Sequence, residues 1–301
     1  MPGKVASRGP RVARHYAGRV VIDLHTHSTA SDGTEAPSVV VQRAVEAGLG
    51  TLALTDHDTT VGWAEASEAA RALGIRLVPG IEVSCSRRGK SIHLLAYLPD
   101  PEHPALIAEL ARARESRDTR LDRMVALMAR DGIPVTVEAV RAQVEDGATA
   151  GRPHIADALV AAGVVAHRDE AFARWLGNDS RYYVSHYAPD PVEGVAVVRA
   201  AGGVPVIAHP WSGTRGRVVG DALVEEMAAA GLAGIEVNHR DHDADAVRHL
   251  TALAGSLRLL VTGSSDDHGE GKLNRLGEFT TSPEVLEAIE ALGSGTPVVE
   301  P

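Results

Sequence analysis

Short apolar runs that end, one after another, in histidine, aspartate or glutamate constrain this chain more than any other feature. Residues 20–24 lead into Asp23-Leu24-His25-Thr26-His27, with Asp32 a few positions on. Residues 51–54 lead into Thr55-Asp56-His57-Asp58, and a strand expected over 75–83, interrupted at Pro79-Gly80, carries Glu82. His93 lies inside the apolar run 91–98. Residues 204–207 precede Ala208-His209-Pro210, and 259–262 precede Ser264-Ser265-Asp266-Asp267-His268. A short apolar run bounded by turn signals reads as a buried strand. In a parallel sheet or barrel the C-terminal strand ends share one face, and chemistry collects there.

The stretches between these runs read as helices. Residues 37–48 have helical spacing, with Pro37 in the first turn and Gly48 as a stop. Residues 63–73 are Ala-rich and end at Gly74, and further helices are expected over 222–230, 243–254 and 283–292. Between 100 and 191 the strand signal disappears. A long, Arg-rich amphipathic helix over 101–130 is followed by shorter ones over 137–144, 152–162 and 168–176. The organisation expected is a barrel built from 20–99 and 192–301, with 100–191 as a helical insertion that caps it. Residues 1–19 are basic without an apolar core and read as a flexible tail rather than a signal peptide.

Composition narrows the partners. Apolar residues make up 44% of 301, enough for a sizeable core, but aromatics only 3%, so Ala, Val and Leu fill it. Lys and Arg number 30 against 40 Asp and Glu, a net charge of −10 that argues against duplex DNA as a partner. A small phosphorylated partner stays open, because a bound cation supplies positive charge locally. The single cysteine, Cys85, leaves no intrachain disulfide and no thiolate-rich zinc site, and fits a reducing, cytoplasmic setting. No apolar run approaches the roughly 18–20 residues of a membrane span.

Positions i and i+2 on a strand point the same way, so His25 with His27, and Asp266 with His268, could each face one ion. One His-x-His pair, or one histidine in an apolar strand such as His93, is equally compatible with packing; six clusters at six strand ends are not. His25, His27, Asp32, His57, Glu82, His93, His209, Asp266 and His268 offer imidazole and carboxylate without thiolate. That donor set suits Mn²⁺, Fe²⁺ or Zn²⁺ in a reactive site. Nine donors exceed one tetrahedral site and suit two or three divalent ions.

The segments "DLHTHSTASDG", "LALTDHDT", "VPGIEVS", "IHLLAYL", "GRPHIADALV", "AGGVPVIAHP", "GIEVNH" and "GSSDDHG" carry a family resemblance across residues 20–292. The chain resembles the polymerase and histidinol phosphatase (PHP) superfamily of metal-dependent phosphoesterases. "GRPHIADALV" and the helical insertion point to a branch similar to nucleoside 3′,5′-bisphosphate phosphatases and 5′-to-3′ exonucleases of short RNA. Other members of that branch open small cyclic phosphates. The resemblance implies an α/β fold, a distorted seven-stranded (β/α) barrel with three metals at its mouth. Carried over motif by motif, it implies one metal on His25, His27, Glu82 and Asp266. A second would share Glu82 and add His93 and His209, and a third would take Asp32, His57 and His268. Asp267 stands where an aromatic residue is common in the family, and Asn238 where a tyrosine is common.

Phosphate ester hydrolysis needs a hydroxide at neutral pH and a sink for charge, which paired metals supply by lowering a water's pKa from 15.7 to about 7. Glu82 suits a bridging role through its two oxygens, and neither a serine nor Cys85 is needed as nucleophile. Arg152 follows Gly151 at the start of a helix, where anions are favoured, and offers a bidentate fork to phosphate. His154 either binds phosphate or packs locally; Arg114 and Arg117 either face the mouth or form a solvated stripe. His239 follows a strand and is a candidate to protonate the leaving group, and Asp58 is a candidate to orient His57 or its neighbour rather than to bind metal itself. The expected activity is release of the 3′-phosphate of a nucleoside 3′,5′-bisphosphate, with trimming of short RNA from the 5′ end. A cyclic-phosphate phosphodiesterase, a histidinol-phosphate phosphatase and a non-catalytic metal-binding module are the alternatives.

Overall fold

Apolar strand runs separated by helices curl into one sheet. The computed structural model describes residues 20–212 and 217–301, and the tail expected over 1–19 lies outside them. Strands β1 (Val21–Asp23), β2 (Leu49–Leu54), β3 (Arg76–Arg87), β4 (Lys90–Tyr97) and β5 (Val204–Ala208) are followed by a short ribbon, β6 (Trp211–Ser212) and β7 (Arg217–Val218). Strands β8 (Gly234–Asn238) and β9 (Leu260–Gly263) complete the set. Seven of them form one sheet in the order β1-β2-β3-β4-β5-β8-β9. Its two edges meet at the mouth. Thr26 bridges Asp267 in parallel, and the Asp266 and His27 amides donate across the seam at 2.9 Å each. The result is a distorted seven-stranded barrel.

The distortion lies at β4, which runs antiparallel to both β3 and β5 while all other sheet pairs are parallel. The strand expected to break at Pro79-Gly80 instead continues for 12 residues. It turns back through Arg88 and Gly89, both at positive φ (52° and 77°), as a tight hairpin requires. Gly80 is needed for close approach: a Cβ there would lie 2.7 Å from Thr55 Cγ2.

Helices α1 (Pro37–Glu46) and α2 (Trp63–Leu73) flank the first three strands. Pro37 opens α1 without wasting an amide, and α2 stops at Gly74 in the left-handed region. After β4 the chain enters α3 (Pro104–Arg130), α4 (Val137–Arg141), α5 (Arg152–Ala161) and α6 (Arg168–Ala171). The last runs directly into a π-helical turn, Phe172–Leu176, where one α-helix was expected. The chain returns to the sheet through α7 (Pro191–Ala200), α8 (Asp221–Ala229), α9 (Ala244–Leu257) and α10 (Pro283–Leu292).

Burial divides accordingly. Ile22, Leu24, Ala53, Val78, Leu95, Tyr97 and Val206 pack with Leu286 and Ile289 of α10. A second cluster joins β3, β4, β5 and β8 to α7, α8 and α9, and a third joins β2 and β3 to α1 and α2. The helices between β4 and α7 have a cluster of their own, including Met124, Met128, Ile155, Leu159 and Leu176. Among the described residues no helix is long and apolar enough to cross a membrane.

Candidate metal centre

The barrel mouth brings all nine candidate donors together, and all nine are buried. His25 and His27 leave β1, His57 follows β2 and bridges to Glu82 on β3, and His93 faces Ser84 across the β3–β4 hairpin. His209 and Asp266 follow β5 and β9 at positive φ (29° and 55°). Such backbone geometry costs about 1–3 kcal/mol and clusters at functional sites. Glu82 is the hub. Its Oε2 lies 3.2 Å from His25 Nε2, 3.0 Å from His27 Nε2 and 3.2 Å from His57 Nδ1. Its Oε1 lies 2.5 Å from His93 Nδ1 and 3.1 Å from His209 Nε2. One carboxylate thus touches five imidazoles. Asp266 Oδ1 is 3.5 and 3.4 Å from the Nε2 atoms of His25 and His27. Asp32 lies 3.2 Å from His268 and 3.8 Å from His57.

This arrangement suits divalent cations. Donor atoms gather within 4.8 Å of one another in the groups His25-His27-Glu82-Asp266, His27-Asp32-His57-His268, His57-Glu82-His93 and His25-His209-Glu236. The Nε2 atoms of His25 and His27 face each other at 3.1 Å. Asp32 Oδ1, His57 Nδ1 and His268 Nε2 are buried without a hydrogen bond. Asp32 Oδ1 and His268 Nε2 face each other at 3.2 Å, as His57 Nδ1 and Glu82 Oε2 do, without hydrogen-bond geometry, and nitrogen and carboxylate donors converging without thiolate match Mn²⁺, Fe²⁺ or Zn²⁺.

The charges point the same way. Burial works against ionised Glu82, but the imidazoles of His93, His57 and His25 outweigh it and hold the carboxyl well below its usual range. Asp266 is likewise held down against burial by Lys272, His268 and His25. Burial pushes His209 down to about 3 and His268 to about 4, keeping both neutral, the form that lends a lone pair to a metal. His27 differs: hydrogen bonds to Asp266 and Glu82 overcome its burial and raise it to about 9, so a cation binding there displaces its proton.

Glu236 on β8 was not among the expected residues; its only signal was a carboxylate inside the apolar run of "GIEVNH". It accepts from His25 Nδ1 at 3.0 Å and from the His209 amide at 2.7 Å, and Ser264 donates to it as well. That contact turns His25 Nε2 towards Glu82. Glu236→Gln is therefore expected to weaken metal affinity and turnover by about 10–100-fold, read by metal titration and kcat. Unchanged metal binding would refute this role. Asp56 holds the loop bearing His27 and Asp32 by accepting from the Ser28 amide and from the hydroxyls of Ser28 and Ser31 (2.6–2.8 Å).

Several expectations need correction. Asp58 does not orient His57; it accepts from the Ser84 amide and hydroxyl at 2.7 Å and pairs with Arg117 at 2.8 Å. Asp267 turns away from the cluster, accepting from the Gly269 amide at 3.0 Å with Arg43 at 3.4 Å. His239 is fully buried behind the donors, its Nδ1 accepting from the Asp241 amide and its Nε2 3.6 Å from Asp266. It does not line the cavity and is not placed to reach a leaving group. His154 Nδ1 accepts from the Gly151 amide at 3.0 Å, closing its own helix start, and also stays off the cavity wall. Arg114 is spent on the Asp58 carbonyl at 2.6 Å and is likewise off the wall.

The cavity over the cluster measures about 830 Å³. Glu82, His57, His93, His209, Asp266, His268 and Asp32 line it, together with Arg117 and Arg152 from the helical segment. Arg120, Arg168, His186 and Lys272 also line it and were missed, since nothing in the local sequence separates them from surface charges. Lys272 Nζ lies 2.8 Å from Asp266 Oδ2, and Arg168 donates to the Asp32 carbonyl at 2.9 Å.

Comparison with known proteins agrees with this arrangement. A PHP domain model matches residues 23–145. The chain is 36% identical to a 3′,5′-nucleoside bisphosphate phosphatase of Chromobacterium violaceum, over 89% of its own length and 94% of that protein. It is 34% identical to a 5′-3′ exoribonuclease of Haemophilus influenzae, over 82% of its length and 89% of that protein. A crystal structure from Bifidobacterium adolescentis, provisionally described as a metal-dependent phosphoesterase, superposes with a TM-score of 0.88 at 42% identity, covering 91% of this chain and 96% of that one. Because this similarity runs through the barrel and the helical segment alike, the chain belongs to the PHP family of metal-dependent phosphoesterases and is a hydrolase of phosphate esters.

Proposed function

We propose that this enzyme removes the 3′-phosphate of nucleoside 3′,5′-bisphosphates and trims short RNA from its 5′ end in the same cavity. The observation that carries the reading is the juxtaposition within one cavity of the Glu82-centred donor cluster and a basic wall. Arg117, Arg120, Arg152, Arg168, Arg174 and Lys272 gather there against Asp169 and Asp179 as the lining carboxylates outside the donor cluster, with Arg117 paired to Asp58 and Arg168 to Asp157, in a chain whose net charge is −10. Local positive charge of this kind draws a multiply charged anion that the rest of the surface repels. The names of the relatives from Chromobacterium and Haemophilus support the same substrate class.

Two or three divalent ions, Mn²⁺, Fe²⁺ or Zn²⁺, would be held by His25, His27, Glu82 and Asp266, by Glu82, His93 and His209, and by Asp32, His57 and His268. When bound, they supply water activation and positive charge for the phosphate oxygens. The protein's own share is positional. Glu82 holds five imidazoles in register, and Glu236 keeps His25 in the tautomer that faces inward. Arg152 is steadied by donating to the Leu176 carbonyl (2.7 Å) and Asn178 (2.9 Å), which holds its guanidinium at the cavity wall and lowers the ordering cost of meeting a phosphate there. The barrel of 20–99 and 192–301 carries the metals, and the helical cap of 100–191 supplies most of the basic wall. The single, buried Cys85 fits a cytoplasmic enzyme.

Hydrolysis with Mn²⁺ tests this on three substrates: adenosine 3′,5′-bisphosphate, read as released phosphate; a cyclic nucleotide phosphate, read as the ring-opened monoester; and a 5′-phosphorylated RNA oligomer, read as released mononucleotides. Release from the bisphosphate at a kcat/KM at least about tenfold above the cyclic ester is expected, equivalent to about 1.4 kcal/mol in transition-state binding. Turnover of the cyclic ester alone would replace the substrate with a cyclic phosphate.

A further inference from the structure

We propose that the π-helical turn Phe172–Leu176 carries a nucleobase platform, with Trp175 as its stacking face. This rests on the nucleotide reading above and adds what holds the base. The chain has two Phe and three Trp in 301 residues. One of each falls on this five-residue turn, and both line the same cavity as Glu82 and His209. In a protein whose core is filled by Ala, Val and Leu, packing alone does not call for that concentration. A π turn is itself uncommon and recurs at functional sites, because the extra residue re-aims the side chains that follow.

The local contacts make a prepared surface. Phe172 and Trp175 rest against the apolar cluster of the helical segment yet stay only partly buried. Their rings are thus held before any ligand arrives. The half-exposed Arg174 guanidinium lies over the Trp175 ring, 4.4 Å from its centroid, so a base stacks there by displacing it, and that of Arg152 lies over the Phe172 ring, 5.5 Å from its centroid. Arg152 is also tied to the Leu176 carbonyl and Asn178. One turn therefore fixes both an aromatic surface and a cation suited to phosphate, the pairing a nucleotide presents in its base and its phosphoryl group. Stacking on an aromatic ring is indifferent to base identity, because every base has a π face. All four nucleobases should be accepted, and a sugar phosphate without a base should be disfavoured.

The test uses the full chain loaded with Mn²⁺. Trp175→Leu removes the ring while filling its space, and Trp175→Phe restores an aromatic face; melting temperatures of both establish that they fold. Stacking on one base is worth about a tenfold change in binding or more. KM for adenosine 3′,5′-bisphosphate is expected to rise roughly tenfold in Trp175→Leu and to recover most of that loss in Trp175→Phe. KM for the corresponding abasic sugar bisphosphate should move in neither variant. Adenosine 5′-monophosphate should quench the tryptophan fluorescence of the wild type more than that of Trp175→Phe, independently of turnover. Equal KM changes on both substrates, or no change on either, would overturn the platform while leaving the phosphatase reading intact. A wild type that turns over no nucleotide yet shows Trp175-dependent quenching would support the platform and overturn the reaction assigned to it.

Discussion

Asp266→Asn is expected to lower kcat on the order of 10³-fold or more, about 4 kcal/mol of lost transition-state stabilisation, whereas Asp267→Asn should stay within a few-fold of wild type. The two carboxylates are adjacent in sequence and opposite in direction. Asp266 reaches the Nε2 atoms of His25 and His27 at 3.4–3.5 Å, with its other oxygen 2.8 Å from Lys272. It sits at positive φ, which turns its side chain into the mouth while Asp267 turns out towards Arg43. Asparagine preserves volume but removes a negative charge from a buried group of imidazoles. It thereby weakens cation binding and leaves histidines facing one another without a counter-charge. The measurement is kcat with the bisphosphate at saturating Mn²⁺, together with metal content per chain. Equal losses in both variants, or none in either, would refute the assignment of Asp266.

Stripping the metal is expected to abolish phosphate release and to lower Tm on the order of 10 °C, with both restored by added Mn²⁺. The reason is linkage: an ion that binds the folded but not the unfolded chain stabilises by about 4 kcal/mol at a thousand times its Kd. For a domain of this size each kcal/mol is worth about 2–4 °C. The effect should be marked here because gathering buried ionisable groups is costly, and bound cations offset that cost. Nine buried ionisable groups converge at the mouth, and three of their atoms lack a hydrogen bond. Calorimetry before chelation, after it and after reloading decides the matter. A Tm indifferent to chelation and reloading would mean that the cluster is held by its own ion pairs rather than by cations.

Much of this was legible in the residue order, and the particular gaps are instructive. The alternation of apolar runs with helical stretches announced an α/β barrel, because a strand buried on both faces must be apolar along its length. The strand through Glu82 was expected to break at Pro79-Gly80. That pair instead sits inside β3, where Gly80 lets the strand pass close to Thr55, a contact between distant segments that no local pattern encodes. The antiparallel course of β4 followed from the tight turn at Arg88-Gly89, which strand–helix alternation alone would not suggest.

The candidate site divides along the same line. By itself the sequence determined which segments would gather: a strand end arrives at the mouth wherever the strand lies in the barrel, so local position suffices to bring the nine candidate donors there. Only the tertiary structure decided direction and partnership. It turned Asp266 inward and Asp267 outward through one backbone angle, placed Glu236 behind His25, and put His239 behind the donors rather than on the cavity wall. It also drew Arg120, Arg168, His186 and Lys272 onto one wall and set His154 and Arg114 behind it. The physical reason is that a strand end fixes a residue's address through local periodicity, whereas what a side chain touches depends on backbone angles and on other segments, 211 residues away for His25 and Glu236, that meet only when the barrel closes.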